Sequence, residues 1–485
     1  MFDVVIVGHG AAGLAAAVTA IETVPSLRVA VLERAPEEDS GGNTRWSPSN
    51  MRMRAVDTVL QDFEADMMKA TGGRGDSAYF RRLAEDAPET LTWLTRQGVK
   101  FHAMDYFLSN WPTRMQPVGK GAAIVEALKG SAKDKGVEFR YGCRATLLLL
   151  GPDGHVEGVE TDQGHSILTR SVILASGGFQ GDPEMLREHL GSGAGSLRMI
   201  SPGTSWNAGD GIRMALDVGA KRSGDWTGMH IEPVDPRSAR PAALVLAYPY
   251  GIVVDGTGRR FFDEGEGLVH TTWERLCRTI HFECPGRTAW TIVDAKATRI
   301  EGYRNAIRTD VPPISAESVA DLASKLGVAS DALEATIATF NAACREERVG
   351  FDPTRLDRVG TAEGFAPPKS NWARPVDEPP FFAFPIVGAI VYTFGGLATD
   401  IEARVLDAKG PIPGLYAAGE ITGHFYGMAP NAVPVMRSLV FGRIAGRNAS
   451  QACRLSRSRE SEGAASLPVH HEKAMRHHAL PAKPS

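Results

Sequence analysis

The sequence predicts an α/β protein whose mostly parallel sheet is interrupted by an inserted α+β segment. Three observations carry this expectation. Val4-Val5-Ile6-Val7 is a short apolar run that passes at once into Gly8-His9-Gly10-Ala11-Ala12-Gly13, a strand turning into a helix through glycines. Roughly four hundred residues later, Gly414-Leu415-Tyr416-Ala417-Ala418-Gly419-Glu420 reads as another buried strand, ending in a glycine and an acid. Between them, from about Trp226 to Tyr392, prolines increase and the parallel-sheet rhythm is lost.

The first motif has a physical logic. Gly8 permits the tight turn, Gly10 lets the backbone approach a pyrophosphate, and Gly13 lets the helix pack against the strand. The helix predicted over Ala11–Ile21 aims its free N–H groups and positive end at phosphates. Arg28–Glu33 is predicted as the second strand, and the Glu33 carboxylate, 20 residues after Gly13, stands where ribose hydroxyls are bound. This is a Rossmann-like nucleotide-binding pattern. Paired with the strand ending in Gly419-Glu420, it points to FAD rather than NAD, and so to redox chemistry.

The remaining elements follow in order. Ser40-Gly41-Gly42-Asn43-Thr44 is a polar glycine loop able to wrap a cofactor with backbone amides. Residues 77–98 and 120–135 read as helices, and Val137–Tyr141 and Ala145–Leu150 as strands. Val156–Thr161 and Ser166–Thr169 suggest a hairpin. Ser171–Ala175 is a buried strand ending in Ser176-Gly177-Gly178-Phe179, a second place where the chain meets the flavin nucleotide. Asn207-Ala208-Gly209-Asp210-Gly211 precedes a helix at Ile212–Gly219, where a polar cap and a flavin contact are both open readings. Within the insertion, Ser318–Lys325 and Asp331–Arg345 are amphipathic helices. The sheet is expected to resume at Gly395–Ala398, Arg404–Asp407 and Leu415–Ala418, with a closing helix at Ser438–Ala449.

Composition narrows the function classes. A net charge of −4 gives no reason to expect nucleic acid or an anionic membrane as a partner. Cysteines 143, 277, 284, 344 and 453 form no CxxC or CxxCH, so zinc, attached haem and cysteine-bound iron–sulfur clusters lack sequence support. Reduced thiols are expected. No apolar run reaches transmembrane length, and MFDVVIVG is itself a strand rather than a leader, so the expected setting is the cytoplasm. Beyond Cys453 periodicity ends. The His-His pairs at 470–471 and 477–478 read as part of a disordered tail in preference to a metal site, and no metal is expected elsewhere.

The chain resembles the fumarate reductase/succinate dehydrogenase flavoprotein superfamily over about residues 2–450. The residues that carry the likeness are GHGAAG with Glu33, GGNTRW at 41–46, ASGGF at 175–179, NAGDG at 207–211, YTFGGLATD at 392–400, and GLYAAGE followed by VFGRIAG at 440–446. Within it, GRRFFDEG at 258–265, Pro368–Ala373, Pro379-Pro380-Phe381 and Tyr392–Leu397 are most similar to the tricarballylate dehydrogenase branch. The resemblance implies a discontinuous FAD-binding domain (1–225 and 393–453), a capping domain (226–392) that closes over the substrate, and a tail (454–485). It implies a hydride passing between a substrate carbon and flavin N5 while a proton moves at the neighbouring carbon. Relatives that bind FAD covalently use a histidine near segment 41–46. None lies in residues 36–56, so non-covalent FAD is expected. The expected cofactor contacts are Gly8, Gly10, Ala12 and Gly13; Glu33 and Arg34; Gly42, Asn43 and Thr44; Ala145; Ala175, Ser176 and Gly177; Asp210; Gly419 and Glu420; and Ser438 and Leu439.

On the substrate side, the resemblance places His230 as a histidine that orients substrate, the alternative being a histidine satisfied in a domain crevice. Tyr392 stands where fumarate reductases carry a second substrate histidine, and packing on the cap is its alternative. If Arg260 is the arginine of the family's GxRF motif, the proton-delivering arginine is replaced by Leu268, and its tricarballylate counterpart by Val269. The upstream Glu–Arg relay is missing from Leu244–Tyr250. His270, Glu266, Tyr248 and Tyr250 are the nearby candidates for proton transfer. Arg437 could neutralise a substrate carboxylate or the reduced flavin, or be a solvated helix arginine, and His424 and Tyr426 are expected to face the same crevice.

The expected function is thus an FAD-dependent oxidoreductase on CH–CH groups, forming or reducing a C=C bond beside a carboxylate or carbonyl. Loss of recognisable carboxylate clamps predicts a substrate with fewer carboxylates than tricarballylate, or a more apolar or aromatic one. The partners expected are this small molecule, an organic acid or carbonyl compound, and a separate electron-transfer protein. A 3-ketosteroid-dehydrogenase-like desaturase, and a non-catalytic flavin-binding redox sensor or partner protein, are the alternatives.

Overall fold

The computed structural model describes residues 1–104, 108, 114–345 and 350–465. Val4–Val7 (β1) is buried at all four positions because it lies inside a sheet covered on both faces. The chain then forms helix Ala11–Thr23 (α1) and returns to strand Val29–Leu32 (β2), which pairs in parallel with β1, Val4 opposite Val29 and Val7 opposite Leu32. Gly42–Trp46 is a short helix (α2), where the sequence suggested an open loop. Glu138–Arg140 (β3) extends the sheet beyond β2, and Ser171–Leu174 (β4) pairs with the other side of β1. Pro411–Ala417 lies parallel to β4, and Arg404–Leu406 closes the edge in antiparallel sense.

Two elements depart from expectation. Gly396–Leu397 does not rejoin this sheet but pairs with Arg222–Ser223 in a separate two-stranded ribbon. The closing helix spans Pro434–Ala465, longer at both ends than Ser438–Ala449. The expected tail therefore starts inside this helix, and residues 466–485, with their His-His pairs, lie outside the described residues. The closing helix lies directly on α1. A β-carbon at Gly442 would sit 2.4 Å from the Ala12 carbonyl oxygen, and one at Gly446 2.3 Å from that of Ala16. The glycines of VFGRIAG thus let two helices touch backbone to backbone. The opposite face of the sheet is covered by a three-stranded sheet, Ala145–Leu150, Val156–Thr161 and Ser166–Leu168.

Helix Asp210–Asp217 (α3) leads from the cofactor layer towards Met229–Val234 (β5), the first long strand of a second sheet. Helix Val269–Phe282 (α4) packs on β5. The sheet is organised by one 13-residue strand, Phe381–Thr393 (β6). β6 pairs with β5, Ala289–Val293 and Ile314–Ala316 in antiparallel sense and with Arg198–Met199 in parallel sense. Its last residues return to the cofactor layer, which sets Tyr392 opposite His230. GRRFFDEG serves this scaffold. Arg260 Nη2 lies 2.5 Å from Glu264 Oε2, Glu264 Oε1 accepts the Val253 N–H at 2.7 Å, and Arg260 Nη1 donates to the Pro367 carbonyl at 2.7 Å.

Candidate active site

A groove runs along the C-terminal ends of β1, β2 and β4. Gly8 has φ +113°, and a β-carbon there would lie 2.4 Å from the Ala175 carbonyl oxygen, so the turn requires glycine. Gly10, the N-cap of α1, has no side chain to cap it, and the Ala11 N–H donates instead to Thr44 Oγ1 at 3.2 Å. The groove takes Gly8, Gly10 and Ala12 from this turn, Glu33 and Arg34 from the end of β2, and Gly42, Asn43 and Thr44 from α2. Ala145, Ala175, Ser176, Gly177 and Asp210 line the far side, and Gly419, Glu420 and Ser438 close one end. Gly13 and Leu439 do not line it. A β-carbon at Gly13 would sit 2.0 Å from the Gly8 carbonyl oxygen, so its task is helix packing, while Leu439 is wholly buried in the core.

The electrostatics suit a nucleotide. Glu33 Oε2 accepts the His9 N–H at 2.9 Å and Oε1 the Ala35 N–H at 2.7 Å. Burial nevertheless pushes its carboxyl above the usual range. Asp210 accepts from Arg34 at 2.8 Å, from Arg144 at 2.7 and 3.0 Å, and from Arg213 at 3.0 Å. Arg144 and Trp206, which the sequence reading omitted, also line the groove. FAD fits these residues. At the start of α1 the Ala11 N–H donates to Thr44 Oγ1 at 3.2 Å, a β-carbon at Gly10 would meet nothing nearer than 3.8 Å, and the buried Ser176 hydroxyl has no hydrogen-bond partner among the described residues.

Asn43, Thr44, Glu420 and Ser438 line both this groove and a second cavity beneath the cap, which joins the two. The cavity's apolar wall comes from Ile200, Leu244, Leu246, Trp273 and Val391, with Trp46 from the cofactor layer. Its polar groups include His230, Glu232, Glu274, His270, Arg308, Tyr392, Glu420 and Arg437. His230 Nδ1 bonds Glu274 on α4, and Nε2 lies 3.2 Å from Glu232 Oε1. Burial opposes the imidazolium, but the two glutamates outweigh it and the pKa is pushed up to about 10. The Tyr392 ring lies 5.0 Å from that of His230, and burial, reinforced by Glu274, holds its hydroxyl well above the ordinary tyrosine value. Burial raises the Glu420 carboxyl to about 7, although the Thr393 N–H and Arg437 pull the other way. Arg437 is buried, its guanidinium 3.8 Å over the Phe425 ring, and is no solvated helix arginine.

Several candidates are placed elsewhere. Tyr248 is wholly buried in the cap, its hydroxyl 2.7 Å from Thr272 Oγ1 and 3.1 Å from the Val269 carbonyl oxygen, so it does not line the cavity. Tyr250 packs on Tyr303 and Phe351, and Glu266 is paired with Arg275 at the surface. His424 stacks on Tyr79 and bonds Thr399 Oγ1 at 2.9 Å, while the Tyr426 hydroxyl accepts the Gly224 N–H. His270 does line the cavity, as a neutral imidazole lowered to about 4 by burial, Arg114 and Arg52. Glu232, Glu274 and Arg308 went unread in the sequence. Glu232 alone left a local signal, since two residues along a strand it shares a face with His230.

Residues 3–432 match the family described as FAD binding domain. The chain belongs to that family. It is 27% identical over 476 residues to the fumarate reductase (cytochrome) of Shewanella frigidimarina, covering 93% of this chain and 77% of that one. It is 32% identical over 363 residues to the 4-oxocyclohexanecarboxylate 2-dehydrogenase of Sinomonas cyclohexanicum, covering 68% of this chain and 61% of that one. The fold superposes on the open conformation of a flavocytochrome c3 fumarate reductase with a TM-score of 0.74 at 25% identity, covering 93% of this chain and 78% of that one. This FAD-binding family member is an FAD-dependent oxidoreductase acting on CH–CH groups, with the fumarate reductase fold and a capping domain. Among its described residues no helix is long and apolar enough to cross a membrane, and no group of side chains could hold a metal ion.

Proposed function

We propose that the protein interconverts C–C and C=C bonds beside a single carbonyl or carboxylate of a small, largely apolar or cyclic substrate, with FAD held non-covalently and a separate protein exchanging electrons with it. The observation that carries this is charge balance at the cavity. The imidazolium of His230 is already matched by Glu232 and Glu274, and Trp46, Ile200, Leu244, Leu246, Trp273 and Val391 give the cavity one apolar wall. Arg308 and Arg437 can offset one substrate carboxylate. A tricarboxylate would bring two more charges beside three glutamates, at a cost of several kcal/mol per unpaired buried charge.

Bound FAD supplies the two-electron hydride chemistry at N5. The chain's part is orientation and proton handling. Tyr392 keeps its proton at neutral pH and so can donate a hydrogen bond to a carbonyl oxygen, polarising the neighbouring bond. Its side chain is itself buried. One relative, by its name, acts on a ring bearing one ketone and one carboxylate, and that supports the same substrate class here.

The test is anaerobic bleaching of the bound flavin by 4-oxocyclohexanecarboxylate, succinate and tricarballylate. Reduction by the cyclic ketone and not by tricarballylate is expected. Rapid reduction by tricarballylate would overturn the reading.

A further inference from the structure

His230 lies between two carboxylates at the wall of the cavity. A neutral imidazole carries one N–H and can satisfy only one of them, so donating to both requires the imidazolium. Its side chain is 11% exposed and each glutamate 17%, which shields the imidazole and leaves both carboxylates in touch with water. The other charged and titratable groups facing it or sharing its cavity are His270, Cys277 and Arg278 on α4, Tyr392 on β6, and Arg308, Glu420 and Arg437. None of these can both give up a proton near neutrality and be reloaded from solvent. Cys277 and Tyr392 hold theirs too tightly, His270 is already neutral, guanidinium groups do not release a proton, and Glu420, whose carboxyl does titrate near 7, has its oxygens held by Thr393 and Asn207 and not by an acid that could reload it.

We propose that His230 Nε2 delivers the proton to substrate carbon during C=C reduction, and that Glu274 is the positioning residue that orients and recharges the imidazole. The proposal rests on the C=C chemistry above. Glu274 holds Nδ1 from the neighbouring helix, and the 3.2 Å contact from Nε2 to Glu232 is the one a substrate can replace. A hydride, which carries both reducing electrons, would be supplied to one alkene carbon by bound FAD. The π pair forms the new C–H bond at the other carbon with the proton of His230, which is left neutral. Solvent returns a proton by way of Glu274 or Glu232, and only the cofactor's own electron donor is consumed. Dehydrogenation needs His230 neutral first, so it gains as pH rises.

The experiment follows reoxidation of dithionite-reduced holoenzyme by fumarate and by 2-cyclohexenone from about pH 6 to about pH 10, beside an NMR titration of the His230 imidazole. In wild-type protein the imidazolium and the reoxidation rate should persist through neutrality. In Glu274→Gln both should fall at a pH lower by about two units, with reoxidation near pH 9 reduced about tenfold. His230→Gln should lose about a hundredfold in kcat with KM changed only a few-fold, the reverse of a residue that merely binds substrate. Glu232→Gln should give a smaller shift than Glu274→Gln. The proposal is overturned if Glu274→Gln leaves the imidazole titration and the pH limb where the wild type has them, or if His230→Gln keeps its kcat. If neither acceptor reoxidises the wild-type flavin, the substrate reading fails. The imidazole titration then decides, and a His230 uncharged at neutral pH overturns the proton-donor role.

Discussion

Replacing Gly10 by alanine separates cofactor binding from folding. Gly10 has φ −80° and ψ −174°, a conformation alanine adopts freely, and its β-carbon would meet only Thr44 Oγ1 at 3.8 Å and the Gly41 carbonyl oxygen at 4.0 Å. The apoprotein should therefore lose only about 1 kcal/mol, the cost of alanine for glycine at an N-cap. FAD meets a different situation, because the methyl group projects towards the N–H end of α1 where the pyrophosphate has to approach. Losing about two charge-assisted hydrogen bonds at roughly 1.5–3 kcal/mol each gives about 3–6 kcal/mol, or a Kd raised about 10²- to 10⁴-fold. Quenching of flavin fluorescence on titration into apoprotein measures the Kd, and thermal melting of the apoprotein measures the fold. Wild-type FAD affinity in Gly10→Ala would refute the placement of the pyrophosphate at this turn. A collapsed apoprotein would refute the reading of open space beside it.

Gly13→Ala should behave in the opposite way, because its methyl overlaps the Gly8 carbonyl at 2.0 Å; about 1–3 kcal/mol of apoprotein stability should be lost in denaturant melts, and unchanged stability would remove the packing role. Glu420 has a folded-state pKa near 7 against an unfolded value of 4.5, so the folded chain holds an extra proton in this window and stability declines as pH rises through it. Glu420→Gln should abolish up to about 3 kcal/mol of that decline, and parallel urea-melt profiles for the two proteins from about pH 5 to about pH 7.5 would count against it. Tyr248→Phe should cost about 1 kcal/mol through the lost bond to Thr272 and leave flavin reduction unchanged; slowed reduction would return Tyr248 to the site.

The cofactor half was legible because its signals are local. A turn needing φ +113° at Gly8 and a helix pressed on the Gly8 carbonyl leave their glycines within six residues of sequence. The substrate half depends on chain crossings. Glu274 meets His230 from a helix 44 residues away, and Arg308 reaches the cavity from outside any element marked in the sequence. Tyr248 misled for a related reason. Tyrosine in an apolar stretch reads equally as a site group or as a core residue, and the bond to Thr272 that decides the matter lies on another element. Gly396–Leu397 paired away from the main sheet because a two-residue strand follows whichever partner edge is near, a choice its own residues do not encode.

β6 has a mechanical consequence. Thr393 at its inner end donates its N–H to Glu420 at 3.1 Å, and the Val391 carbonyl accepts from Asn43 on α2 at 2.6 Å. The same strand is stitched along its length to three others in the cap and to Arg198–Met199. It therefore works as a stiff beam with one end set in the cofactor floor. Tilting the cap turns the beam, and with it the Tyr392 ring and the bonds to Asn43 and Glu420. A cap that tilted to admit substrate would thus loosen the cofactor's hold in the same movement, and a protein emptied of its cofactor should feel the loss at the outer edge of the cap.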